Sequence, residues 1–154
     1  MFKTVLIANR GEIAVRAIRT LKKMGVTSVA VYSETDRYAQ HVLDADVAVS
    51  LQGTKPSDTY LSIEKLIAAA KNTGAEAIFP GYGFLSESAD FARACEENGI
   101  AFMGPTAAQI LEFGLKHRAR ELAAAANVPM TPGTGLLNSL DEALAEAEKI
   151  GYPI

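Results

Sequence analysis

The residues whose types and spacing point most directly to chemistry are Pro80-Gly81-Tyr82-Gly83-Phe84-Leu85-Ser86-Glu87. Two glycines flanking an aromatic residue can adopt positive φ and offer bare backbone N–H groups to an anion or a polar ring, and Glu87 is expected to open the next helix. The same stretch also suits a plain turn, in which the glycines satisfy geometry and Glu87 complements a helix dipole. A second loop, Ala8-Asn9-Arg10-Gly11-Glu12, has one glycine where a G-x-G-x-x-G dinucleotide turn needs three, which argues against NAD or FAD. A G-x-x-x-x-G-K-[ST] phosphate loop is absent, and Ala8, Asn9 and Arg10 stand where a phospho-acceptor receiver needs acids. Lys116, just after Gly114-Leu115 at an expected helix start, is placed either to reach a phosphate or to sit in solvent. Arg16 and Arg19, three apart on a helix, read as solvent-facing. Cys95 falls on an apolar helix face and reads as core rather than nucleophile. His117 belongs to no recognisable catalytic pattern with an acidic or nucleophilic partner in sequence and reads as surface. With His41 far from it and a single cysteine, no Cys/His metal site or internal disulfide is expected.

These residues need elements to position them. Thr4 to Ala8 is a short apolar run that reads as a buried strand, followed by a turn and a helix with Ile13, Ala14, Ala17, Ile18 and Leu21 at helical spacing. Val26 to Tyr32 and Val47 to Val49 read as the second and third strands. Tyr60 to Lys71 reads as a helix stopped near Gly74, and Ala77 to Phe79 as the fourth strand. The helix carrying Phe91, Ala94 and Cys95 stops at Gly99, and Ile100 to Met103 reads as a fifth strand. The alternation implies right-handed βαβ crossovers and a mostly parallel sheet covered on both faces. In such a sheet ligands sit outside the carboxyl ends of the strands, so the informative loops are Ala8 to Glu12, Ser33 to Asp36, Pro80 to Glu87 and Gly104 to Thr106. Beyond these, Thr106 with Gln109, Lys116 to Ala126, and Ser139 with Glu142 mark three helices without a sheet to cover. Tyr152-Pro153-Ile154 reads as the start of another strand, so the chain is expected to be the front part of a longer polypeptide.

The 154 residues, 49% hydrophobic and 21% charged, suffice for one packed domain and little more. A net charge of −3 gives no global field for holding nucleic acid or an acidic membrane surface. No apolar stretch approaches the roughly 18 to 20 residues that cross a bilayer, and Met1-Phe2-Lys3-Thr4 runs straight into a strand-like run without the features of a signal peptide, so none is expected. The default expectation is a cytoplasmic protein with no nucleic-acid or membrane partner.

Ile7-Ala8-Asn9-Arg10-Gly11-Glu12-Ile13-Ala14, Ala30-Val31-Tyr32-Ser33, His41-Val42 with Ala45-Asp46, and Pro80 through Glu87 closely resemble the N-terminal part of biotin carboxylases. The resemblance extends through Gly104-Pro105, Val128-Pro129 and Pro132-Gly133. The runs Phe113 to Leu122 and Pro132 to Leu137 look like the urea carboxylase branch, which includes urea amidolyase fusions. Leu115 departs from the Gly-Asp-Lys usual in acetyl-CoA, propionyl-CoA and pyruvate carboxylases, and Phe79 replaces the His that often precedes Pro-Gly-Tyr-Gly.

The fold implied is α/β: a Rossmann-like pre-ATP-grasp domain with a parallel sheet over residues 1–104. A helical linker and the start of an ATP-grasp region follow over residues 105–154. The chemistry implied is ATP-dependent carboxylation of biotin, in which bicarbonate attacks the γ-phosphate, carboxyphosphate forms, and CO₂ passes to biotin on a carrier domain. By position, the resemblance places Lys116 on an ATP phosphate, Tyr82, Gly83 and Glu87 along the biotin and bicarbonate cleft, and Arg16 and Arg19 at subunit-pairing positions. The cofactors implied are ATP, Mg²⁺ or Mn²⁺, biotin and bicarbonate, with the metal carboxylates outside this chain. The partners implied are the rest of the ATP-grasp domain, the biotin carboxyl carrier and carboxyltransferase domains, and an allophanate hydrolase. The expected acceptor is urea, with guanidine, an acyl-CoA or pyruvate as alternatives, and the chain alone is expected to be inactive. A non-catalytic docking module of the same fold and a different ATP-grasp ligase are the competing readings; Lys116 and Glu87 argue against the first, and Pro80 to Glu87 against the second.

Overall fold

The computed structural model describes all 154 residues, which form two compact units, Met1–Ile110 and Leu111–Ile154. In the first unit, strands β1 (Thr4–Ile7), β2 (Thr27–Tyr32), β3 (Val47–Ser50), β4 (Ala77–Phe79) and β5 (Ala101–Phe102) make one parallel sheet in the order β3-β2-β1-β4-β5. Helices α1 (Gly11–Lys23), α2 (Gln40–Asp44), α3 (Ile63–Thr73) and α4 (Ala89–Glu97) connect them. The strand order reverses at β1, so α1 and α2 lie on one face and α3 and α4 on the other, as right-handed crossovers require.

Both faces of β1 are buried, which is why Val5, Leu6 and Ile7 form an unbroken apolar run rather than an alternating one. Leu6, Val29, Val31 and Ile78 point to one side and pack with Leu66, Ala70, Phe91 and Cys95 from α3 and α4. Val5, Ile7 and Ala77 point to the other and pack with Ala14, Ala17, Ile18 and Leu21 of α1. Each large apolar side chain so enclosed contributes roughly 1.5–3 kcal/mol. Helix starts are set by side chains that satisfy the first turn: Ser62 accepts from the Lys65 N–H, and Ser88 from the Phe91 N–H.

Three elements differ from the expectation. The third helix begins at Ile63 rather than Tyr60, because Ser62 is its cap and Tyr60 is drawn into the core. A single 3₁₀ turn at Glu34–Asp36 and the short α2 occupy the stretch before β3, where five residues are too few to show a helical period. Tyr152–Ile154 form no strand.

Helix α5 (Ala107–Gly114) runs through the boundary between the units, and Thr106 and Gln109 form its capping box: each backbone N–H donates to the other's side chain. The second unit holds α6 (Lys116–Ala125) and α7 (Leu140–Ile150), the latter capped by Ser139 accepting from the Glu142 N–H. No helix of the protein is long and apolar enough to cross a membrane.

Candidate functional site

Parallel register places Ile7 beside Ala30 on one side and Phe79 on the other, so the loops leaving β1, β2 and β4 emerge together. Asn9, buried, is the first residue to act across them. Its side-chain amide donates to the Pro80 carbonyl at 2.8 Å and to the Tyr82 carbonyl at 2.8 Å, while its Oδ1 accepts from the Arg10 N–H at 2.9 Å. One side chain thereby holds the start of the glycine loop against β1.

Gly81 has φ of 66°, and a Cβ there would lie 3.0 Å from Asn9 Nδ2 and 3.1 Å from Ile13, so glycine is demanded by both backbone and space. Gly83 has φ of 69° but open space around it, which leaves its backbone accessible. The next residue, Phe84, is also left-handed, with φ of 42°, a conformation that costs a non-glycine residue roughly 1–2 kcal/mol. Its ring stacks on Tyr60, with centroids 5.0 Å apart and an interplanar angle of 19°.

Tyr60 is 2% exposed and its hydroxyl is fully engaged: it donates to Asp36 Oδ2 at 2.6 Å and accepts from the Ser33 N–H at 3.1 Å. Asp36 also accepts from Arg10 Nη1, at 2.9 and 2.7 Å to its two oxygens, and from Ser33 Oγ at 3.0 Å. The Arg10 guanidinium lies 5.9 Å from the Tyr60 ring centroid, within cation–π range. Partial burial pushes the Asp36 carboxyl upward, but the hydrogen bonds from Tyr60, Arg10 and Ser33, with the Arg10 charge, outweigh it and hold the carboxyl below its ordinary value. Burial first, and then the hydrogen bond to Asp36, pushes the Tyr60 phenol up to about 12. Both shifts favour a carboxylate facing a neutral phenol at neutral pH.

His41, on α2, is completely buried. One ring nitrogen, Nε2, is 3.3 Å from the Val31 carbonyl, and Nδ1 has no partner. Burial pushes its pKa down, so the ring is neutral at pH 7. Cys95 lies inside the core, where burial pushes the thiol up to about 11, as suits a packing residue rather than a nucleophile.

Of the residues singled out from sequence, Tyr82 and Gly83 lie exposed at the tip of the glycine loop, Tyr82 with 64% of its surface free. Glu87 is exposed too but does not open the following helix. Helix α4 begins at Ala89, and Ser88 takes the capping position because its hydroxyl can accept from the Phe91 N–H, as an acceptor carboxylate two residues from the first turn does not. Lys116 is the first residue of α6, exposed, and no side chain caps that helix. Arg16 and Arg19 are exposed on α1, and Arg16 borders an apolar hollow of about 180 Å³ that includes Phe2, Phe79 and Met103. Asn9, Arg10, Ser33, Asp36 and Tyr60 were not assigned roles from sequence. Four of them lie in loops expected at the carboxyl end of the sheet, which is a usable signal; Tyr60 has none, since its partners are 24 and 27 residues away.

Residues 1–110 match the family described as the biotin carboxylase N-terminal domain. The chain is 59% identical over 153 residues to urea amidolyase of Lachancea kluyveri, covering 99% of this chain and 8% of that protein. The crystal structure of K. lactis urea amidolyase superimposes with a TM-score of 0.84 at 60% identity, covering 85% of this chain and 8% of that one. The biotin carboxylase domain of Hydrogenobacter thermophilus 2-oxoglutarate carboxylase, a dimer solved with MgADP and bicarbonate, gives a TM-score of 0.93 at 50% identity, covering 99% of this chain and 34% of that one. The chain thus spans less than a tenth of the urea amidolyases that it matches.

Proposed function

The chain belongs to the biotin carboxylase N-terminal domain family, and from that premise we propose that it supplies one wall of the ATP and biotin cleft of a urea carboxylase. In this reading residues 1–104 are the pre-ATP-grasp domain, and residues 105–154 are linker helices and the start of the ATP-grasp region. The observation that carries it is the glycine loop: the Tyr82 side chain and Gly83 are exposed at the carboxyl edge of a parallel sheet, while Asn9 ties down the Pro80 and Tyr82 carbonyls and Tyr60 stacks on Phe84. Such a loop fits a flat ring: Gly83 leaves its backbone open to close approach, and the exposed tyrosine adds a face and a hydroxyl. Glu87 lines the same side of the cleft.

Lys116 fits a nucleotide phosphate. It is the first residue of a helix whose start has no side-chain cap, so its charge and the helix dipole would act on an anion together. No group of three or more His, Cys, Asp or Glu side chains in this chain makes a metal site, and the divalent cation that accompanies the nucleotide is assigned no ligand here. ATP and bicarbonate supply the activated carboxyl group; the chain's own residues bind, orient and help exclude water. Arg16 and Arg19 are assigned to subunit pairing, a role supported by the exposure of both on α1 and by the apolar hollow that Arg16 borders.

The urea branch is supported by identity of 59–60% to urea amidolyases against 50% to the 2-oxoglutarate carboxylase. The carrier, carboxyltransferase and allophanate hydrolase functions belong to other parts of the polypeptide or complex, which is placed in the cytoplasm, and the chain alone is inactive.

The test is bicarbonate- and biotin-dependent ATP hydrolysis by the full-length polypeptide, with urea or guanidine as acceptor. Stimulation by urea is expected. Turnover with free biotin and stimulation by neither acceptor would overturn the urea assignment and leave the biotin carboxylase one standing. In the same enzyme Lys116→Ala removes a charge-assisted phosphate contact of about 1.5–3 kcal/mol and should weaken ATP binding by roughly 10- to 150-fold. Unchanged ATP affinity would remove Lys116 from the site.

A further inference from the structure

The glycine loop has a support that its own sequence does not contain. Phe84 closes the loop in a left-handed conformation, and the only aromatic ring stacked on it is that of Tyr60. Tyr60 cannot shift without giving up the 2.6 Å bond to Asp36 and the 3.1 Å bond from Ser33. Asp36 is in turn held by Arg10 from the β1 loop, two bonds to one guanidinium nitrogen, and by the Ser33 hydroxyl. Between Asn9 at one end and Phe84 at the other, Tyr82 and Gly83 make no side-chain bond of their own; the Tyr82 carbonyl accepts from Asn9, the Gly83 carbonyl accepts from the Ser86 N–H at 2.9 Å, and the Phe84 stack is the aromatic contact that fixes the far side of the loop.

We propose that Phe84, Tyr60 and Asp36 form a strut that positions the Tyr82–Gly83 backbone for the biotin ring, acting on biotin without touching ATP. This rests on the reading that the glycine loop faces biotin. The strut makes Phe84, Tyr60 and Asp36 positioning residues: a ring stack fixes the strained residue, a phenol–carboxylate bond fixes the ring, and two loops of the sheet edge fix the carboxylate. Its strength lies in preorganisation, since a loop that must be ordered on binding gives up affinity to conformational entropy. Release of the strut therefore weakens biotin binding and leaves the rest of the cleft intact.

The test uses the full-length enzyme with free biotin and compares wild type, Phe84→Ala and Phe84→Tyr. Phe84 is 36% exposed and lies outside the core clusters, so both variants are expected to fold, and far-UV circular dichroism of each checks it. Phe84→Ala should raise the KM for biotin about tenfold while the KM for ATP stays within twofold, and should speed amide hydrogen exchange several-fold in peptides covering residues 80–88 alone. Phe84→Tyr keeps the stack and should return both readings to within twofold of wild type. An unchanged biotin KM, a parallel rise in ATP KM, or failure of the tyrosine to rescue would each overturn the strut. If the wild-type enzyme does not carboxylate biotin, the functional reading itself falls, and the exchange data still show whether Phe84 holds the loop.

Discussion

Removing one oxygen, in Tyr60→Phe, tests whether the cluster beneath the glycine loop also holds the fold together. The phenol donates to a carboxylate at 2.6 Å, and a hydrogen bond to a charged group contributes roughly 1.5–3 kcal/mol. It also accepts from the Ser33 N–H at 3.1 Å; Ser33 is 1% exposed, so that donor would be left buried and unsatisfied at a cost of about 1–3 kcal/mol. The two losses share one atom and do not add fully. We expect a destabilisation of about 3 kcal/mol at pH 7, a drop in Tm of about 10 °C for a chain of this size. The assay is urea unfolding followed by far-UV circular dichroism, with a fall in midpoint at constant m-value marking a stability change. The loss should also shrink in acid. Asp36 titrates below its ordinary value when folded, so the stabilisation that it mediates is complete above about pH 4 and disappears as pH falls through the depressed value. A loss under about 0.5 kcal/mol at pH 7, or one equally large below the Asp36 titration, would refute the reasoning.

The remaining predictions concern single groups. His41 is buried and its pKa is pushed down by burial, so the unfolded chain binds the extra proton; stability should fall as pH drops below about 6.5, by at most about 1.4 kcal/mol per pH unit, and His41→Leu should flatten that slope in urea midpoints measured from pH 7.5 to 5.5. Lys65 donates to the carbonyls of Leu51, Gln52 and Asp58, each at 2.7 Å, and Lys65→Met should cost about 2 kcal/mol; a loss under 0.5 kcal/mol would show that water replaces the ammonium at no cost. Gly83→Ala should cost about 1 kcal/mol for its dihedral alone, whereas Gly81→Ala adds the clash with Asn9 and Ile13 and should cost about 2 kcal/mol or more, so equal thermal shifts would contradict the packing described.

Local physics was enough to read the βαβ order and the positions of all five strands. Parallel strands enclosed on both faces must be continuous apolar runs, and their connecting helices must show a 3.6-residue period; both patterns are written in consecutive residues. The glycine loop was legible for a similar reason, because positive φ and open backbone demand glycine at particular positions. The short α2, the true start of α3 and the cap at Ser88 were not, since a five-residue helix has no period and a cap is chosen by competition between neighbouring side chains.

Only the tertiary structure decided what supports the loop. Asn9 meets Pro80 and Tyr82 across more than 70 residues, Tyr60 meets Asp36 across 24, and Arg10 meets Asp36 across 26. None of these pairs leaves a local pattern, because each exists through strand register: the parallel pairing of β1 with β2 and β4 brings the loop ends to one edge, and the core draws in the Tyr60 ring. Sequence alone singled out the glycine loop as the candidate, whereas the contacts that hold the loop follow from the order in which the strands are laid side by side.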